Sequence, residues 1–251
     1  MSARPARLIQ ISDTHLFADP AGTFGGVTTL ASLERVLAFA GSPIDAVLAT
    51  GDLAHDGSRE AYAAFRRTLT ECQVPVYCLP GNHDDPAHLA EVLATGNVRR
   101  TETALLGTWQ LILLDSHLRG HDEGRIGAEQ LGRLEAELER GRGHHVLIAL
   151  HHHPVPMGSE WLDGMGLADA AAFFAVVDRF PVVRAIVWGH VHQEFAGERK
   201  GVRLLSVPST CVQFRPGTER YETDKRAPGY RWLELRPDGK IVTEVRRVAP
   251  G

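Results

Sequence analysis

Short apolar runs that are continuous rather than alternating limit what this chain of 251 residues can fold into. They occupy residues 7–11, 46–50, 74–79, 109–114, 146–150 and 185–188, and are rich in Val, Leu and Ile. A strand with one wet face alternates apolar with polar residues, whereas a continuous run implies cover on both faces. Helical spacing lies between the runs. Leu30, Leu33, Val36, Leu37 and Ala40 recur at helical intervals, and Ser58 can cap a helix carrying Ala61, Ala64, Phe65 and Leu69. Residues 127–140 alternate Leu131, Leu134 and Leu138 with Glu and Arg, and residues 168–179 form a further helical stretch. This alternation predicts an α/β architecture. After Trp188 the pattern changes: residues 202–207, 230–235 and 241–245 read as strands joined by turns such as Pro237-Asp238-Gly239, so an antiparallel end is expected. With no linker, repeat or charge block, a single domain over 1–251 is expected.

Polar clusters stand at the carboxyl ends of five of these runs. Asp13-Thr14-His15 comes just after the first, Gly51-Asp52 after the second, and Gly81-Asn82-His83-Asp84 after the third. His151-His152-His153-Pro154 comes after Leu150, and Gly189-His190-Val191-His192 after Trp188. Ligand sites in open α/β sheets form beyond the carboxyl ends of strands, so five such clusters on adjacent strands would share one crevice. Imidazole, carboxylate and amide oxygen together suit Fe, Mn, Zn or Co. Asp13 and His15 stand two apart, as do His190 and His192, and on an extended segment such pairs point the same way. A single D-x-H carries little information; the ordered set of five carries the inference.

The totals exclude other classes. The formal charge is −4, which disfavours a nonspecific nucleic-acid binder, because phosphate backbones need a basic surface. Cys72, Cys78 and Cys211 offer neither a disulfide framework nor a C-x-x-C zinc site, and suit a reducing cytoplasm. The N-terminus lacks the apolar stretch of a secretory signal, and no segment reaches the ~18 apolar residues of a membrane-spanning helix. A cytoplasmic protein with no membrane partner is expected. Oligomeric state is not encoded legibly.

The set D-x-H, GD, GNHD, a His cluster before Pro, and GHxH resembles the calcineurin-like metallophosphoesterases over essentially the whole chain. Within that family it is most similar to bacterial class III 3′,5′-cyclic AMP phosphodiesterases. That likeness extends to Leu150–Pro156, Trp161-Leu162-Asp163, Pro208–Phe214 and Ala227-Pro228-Gly229-Tyr230. The resemblance implies a four-layer α/β/β/α sandwich and two divalent or mixed-valence metal ions, Fe with Mn, Zn or Co. One ion would be held by Asp13, His15, Asp52 and His192, and the other by Asp52, Asn82, His151 and His190. His151 rather than His152 aligns with the family's ligand. His83 resembles the catalytic histidine, and His15, Asn82, His83 and His192 would face the substrate. The implied reaction is hydrolysis of 3′,5′-cyclic AMP to 5′-AMP by a metal-bridging hydroxide, with a small cyclic nucleotide as partner. The alternative is another small diester: a glycerophosphodiester, a 2′,3′-cyclic nucleotide or a nucleotide-linked pyrophosphate.

Other residues carry weaker expectations. Asp84 is read first as a cap for the following helix, with orienting a neighbouring group as the alternative. Phe214 is a candidate for stacking on a base, with core packing as the alternative. Trp161-Leu162-Asp163 is expected in a mobile loop over the site. His152 and His153 would lie behind the ligands or face the substrate. His55, His88, His117, His121, His144 and His145 are expected to be surface or loop residues.

Overall fold

The computed structural model describes residues 4–41, 43–141 and 143–249. In chain order the strands and helices are β1 (Ala6–Ile11), β2 (Thr23–Phe24), β3 (Val27–Thr28), α1 (Thr29–Ala40), β4 (Ala46–Thr50), α2 (Arg59–Thr70), β5 (Val76–Leu79), α3 (Pro86–Val92), β6 (Val98–Arg100), β7 (Thr103–Leu106) and β8 (Trp109–Leu113). They continue with α4 (Gly127–Arg140), β9 (His145–Leu150), α5 (Glu160–Asp163), α6 (Ala170–Val177), β10 (Val183–Trp188), β11 (Phe195–Arg199), β12 (Val202–Ser206), β13 (Gln213–Phe214), β14 (Thr223–Asp224), β15 (Gly229–Leu235) and β16 (Ile241–Arg247).

Two six-stranded sheets form, in the orders β16-β15-β1-β4-β5-β6 and β11-β12-β10-β9-β8-β7. Strand alternation assigns the continuous runs to two cores at once. In the first sheet Leu8, Leu48 and Tyr77 face the second sheet and meet Leu111, Leu147 and Val187. Their neighbours Ile9, Val47 and Cys78 face outward, under α1, α2 and α3. Ile112, Ile148 and Ile186 of the second sheet lie under α4 and α6. Cover on both faces removes the polar half of the alternation, and the result is the four-layer sandwich expected.

The five polar clusters therefore do not hang from one sheet. Three come after β1, β4 and β5 of the first sheet, and two after β9 and β10 of the second. The crevice lies where the carboxyl ends of both sheets meet. Gln10 fastens that seam, since its amide donates to the Trp188 carbonyl at 3.0 Å. Gly189 permits the close approach: a Cβ there would stand 2.0 Å from Ser12 Oγ and 2.7 Å from the Thr50 carbonyl.

The antiparallel end is only partly as expected. β15 and β16 pair antiparallel with each other, and β15 with β1. β12 instead runs parallel to β10, because β11 intervenes as a hairpin partner. Among the described residues, no helix is long and apolar enough to cross a membrane. Cys72, Cys78 and Cys211 are free thiols.

Candidate metal centre

Asp13, His15, Asp52, His190 and His192 share an unusual backbone. Each has positive φ, between 45° and 65°. A non-glycine residue in this left-handed region costs on the order of 1–3 kcal/mol, and such positions concentrate at functional sites. The Asp13 and His15 side chains therefore reach one place from a left-handed turn and not from strand alternation, because β1 has already ended at Ile11. The turn is held by Asp13 N–H donating to Gly51 O and His15 N–H to Asp52 O, each at 3.0 Å.

The structure brings all seven candidate ligands together. His15 Nε2 lies 3.2 Å from His192 Nε2 and 3.7 Å from Asp52 Oδ2. His192 Nε2 lies 3.4 Å from Asp13 Oδ1. On the other side, His151 Nε2 is 3.4 Å from Asp52 Oδ2 and 3.1 Å from Asn82 Oδ1, and His190 Nδ1 is 3.0 Å from the same Asn82 oxygen. Asp52 Oδ2 thus belongs to both groups. Its Oδ1 is occupied by the His83 N–H at 2.9 Å.

Tautomers test whether these residues fit a cation. His192 Nδ1–H donates to the Val212 carbonyl at 2.7 Å. His151 Nδ1–H donates to the Thr50 carbonyl at 2.8 Å. A neutral imidazole has one proton, so in the neutral form each ring turns an unprotonated Nε2 toward carboxylate, amide or imidazole lone pairs. Lone pairs facing lone pairs in a dry interior repel unless a positive charge sits between them. Two ligand nitrogens ~2.1 Å from one ion and roughly 100° apart would be ~3.2 Å from each other, matching the separation of His15 and His192. The residues fit a metal. Buried His–Asp groups within reach of a common ion include Asp13–His15–His192 and Asp13–Asp52–His151.

The electrostatics agree. Burial pushes His15 and His190 well below the usual imidazole range, which keeps them in the ligand form. Burial also opposes charge on His151, but the nearby Asp52 outweighs it and raises that ring to about 9. Without an ion that added proton sits on Nε2, between His151 and the Asp52 and Asn82 oxygens, and a cation would replace it there. Glycines make room: a Cβ on Gly81 would stand 2.2 Å from Asp52 Oδ1, and one on Gly51 would stand 2.5 Å from His151 Nδ1.

Several sequence expectations change here. Asp84 does not cap α3; Asp85 does, accepting from Ala87 N–H and His88 N–H. Asp84 instead accepts from the N–H groups of Leu53, Ala54 and Gly81 and from Tyr62 OH, which braces the loops carrying Asp52 and Asn82. Burial, then the Asp52 charge, raises its carboxyl to about 6. Phe214 lines the crevice with one face stacked on His192 at 3.8 Å and 7° and with Trp161 and Tyr221 packed at steep angles against it. Trp161 sits on α5, which is tied down: Ser159 Oγ accepts from Gly217 N–H, and Asp163 accepts from Met157 and Gly158 N–H.

His152 lies behind the site. Its Nδ1 is 2.8 Å from Ser116 Oγ, and its ring packs on His190 at 4.8 Å. His153 stacks on His190 at 5.6 Å. Of the remaining histidines, His55 joins the site, its Nδ1 lying 3.1 Å from His15 Nδ1. Its only sequence signal is its place three residues after Asp52. Phe24, Asp122 and Tyr221, also not anticipated, line the crevice of about 200 Å³ beside His83 and Trp161.

The sequence pattern of the family described as calcineurin-like phosphoesterase matches residues 6–194. The 3′,5′-cyclic adenosine monophosphate phosphodiesterase of Pseudomonas aeruginosa is 40% identical over 244 residues, covering 96% of this chain and 89% of that protein. Its namesake from Escherichia coli K12 is 41% identical over 248 residues, covering 97% and 90%. A dimetal phosphatase from Danio rerio superposes with a TM-score of 0.69 at 15% identity, covering 96% of this chain and 99% of its own, a likeness of fold. With the pattern matched across most of the chain and full-length relatives at this identity, the chain belongs to the calcineurin-like phosphoesterase family.

Proposed function

We propose that this chain hydrolyses 3′,5′-cyclic AMP to 5′-AMP at a pair of metal ions. The observation that carries the reading is the convergence of imidazole nitrogens on carboxylate and amide oxygens in a buried cluster. One ion falls to Asp13, His15, Asp52 and His192, and the other to Asp52, Asn82, His151 and His190. The shared approach of both groups to Asp52 Oδ2 supports a bridging role for that carboxylate. The mixed N/O donors suit Fe with Mn, Zn or Co. When bound, two such ions neutralise phosphoryl charge and lower the pKa of a water toward ~7.

The chain's own residues orient the diester. His15, Asn82 and His192 line the crevice wall against which the phosphate would rest. His83 reaches the same crevice from the solvent side. Its Nδ1 faces the His55 carbonyl at 3.4 Å, leaving Nε2 for the substrate. From there the Nε2 side of the ring is placed to donate to a nonbridging oxygen or to the departing 3′ oxygen. Phe24, Trp161 and Tyr221 form an aromatic rim that suits a flat base. The activity named for the full-length relatives supports the cyclic AMP assignment.

The test is a substrate panel with Mn²⁺-, Zn²⁺- or Fe-loaded protein: cyclic AMP, cyclic GMP, a 2′,3′-cyclic nucleotide and a glycerophosphodiester, with products identified. Cyclic AMP should yield 5′-AMP. Rapid turnover of another diester with cyclic AMP untouched would replace the substrate assignment and leave the metal centre standing.

A further inference from the structure

We infer that His55 is a positioning residue for the metal centre: it accepts the proton of His15 Nδ1 and so fixes His15 in the tautomer that can bind a cation. The inference rests on the metal-site reading above. His15 turns Nε2 toward His192 and Asp52, so Nε2 is the ligand atom. A neutral ring that binds through Nε2 carries its proton on Nδ1, and that proton needs an acceptor in a buried site. The atom that meets it is His55 Nδ1, at 3.1 Å. The opposite arrangement, with His55 donating, would place the His15 proton on Nε2, where it blocks coordination. Cation binding and the direction of this one hydrogen bond are therefore linked. His192 and His151 spend the corresponding proton on backbone carbonyls, so the use of a side chain is particular to His15.

The packing holds His55 in place for this task. Its backbone N–H donates to Leu16 O at 2.7 Å, which pins the loop after β4 against the loop after β1. Its ring lies 4.7 Å from Phe17 and 4.9 Å from Phe24. It also stacks on His83 at 4.8 Å and 23°. One ring thus orients a ligand through its edge and supports the proposed proton donor through its face.

Two variants separate the acceptor from the packing. His55→Phe keeps the aromatic contacts and removes the acceptor. His55→Gln gives up aromaticity but restores a carbonyl acceptor. Calorimetric titration of metal-stripped, folded protein with MnCl₂ reads affinity without reference to turnover, and circular dichroism checks the fold. Partners of this kind typically contribute 10–100-fold in metal affinity, so His55→Phe should weaken Mn²⁺ binding by about 10–100-fold, with most of the loss recovered in His55→Gln. Wild-type affinity in His55→Phe would overturn the inference, as would equal losses in both variants. Wild-type protein that takes up no Mn²⁺ would overturn the metal-site reading along with it.

Discussion

The left-handed backbone at Asp13, His15, Asp52, His190 and His192 supplies local strain at the proposed ligand positions, and the surrounding hydrogen bonds hold it. Asp13, for example, accepts from the His190 N–H through both oxygens at 3.1 Å. His83 differs from these residues, because only its backbone N–H touches Asp52 while its ring lines the crevice. His83→Ala keeps that backbone contact. It should lower kcat by about 10²–10⁴-fold with Mn²⁺ content unchanged, as expected for loss of a proton donor; metal loss in a folded variant would give His83 a structural role instead. The proposed ligands are legible in the sequence because each closely follows an apolar run. His55 is not, since its part in the site depends on a loop from β1 that lies forty residues away in the chain. Asp84 departs from its preferred reading because the cap goes to the next residue.

Elements carry the substrate side. The β2–β3 hairpin brings Phe24, α5 brings Trp161, and the stretch between β13 and β14 brings Tyr221. The last two are cross-tied, with Trp161 Nε1 donating to Thr218 Oγ1 at 3.2 Å. Base–aromatic stacking is worth about 1–3 kcal/mol by alanine substitution, which is roughly a 5–150-fold change. Trp161→Ala should raise KM for cyclic AMP within that range at nearly constant kcat. It should also weaken inhibition by AMP while leaving inhibition by inorganic phosphate intact; an unchanged KM would remove Trp161 from the base site. The inner strands β1, β4, β8, β9 and β10 are readable because burial on both faces leaves a continuous apolar signal. Edge strands β6, β7 and β11 are not: Arg99 and Arg100 on β6 and Glu198 on β11 face solvent, and β7 is a four-residue strand with Leu105 exposed, too short for a continuous apolar signal.

At the scale of the molecule, the proposed ligands come from two sheets, so bound ions would staple one sheet to the other. Anything that binds only the native state stabilises it by mass action, by about 2.7 kcal/mol at a hundredfold excess over Kd. For a chain of this size that corresponds to a rise in Tm of about 5–11 °C. Calorimetric scans with saturating Mn²⁺ should show that rise and lose it on adding EDTA; no shift would mean that no cation joins the sheets. Most direct of all is anomalous diffraction from crystals of the Mn²⁺-loaded protein. Two peaks should appear about 3.5–4 Å apart, with the Asp52 carboxylate in contact with both. A single peak, or a pair that Asp52 does not bridge, would contradict the account.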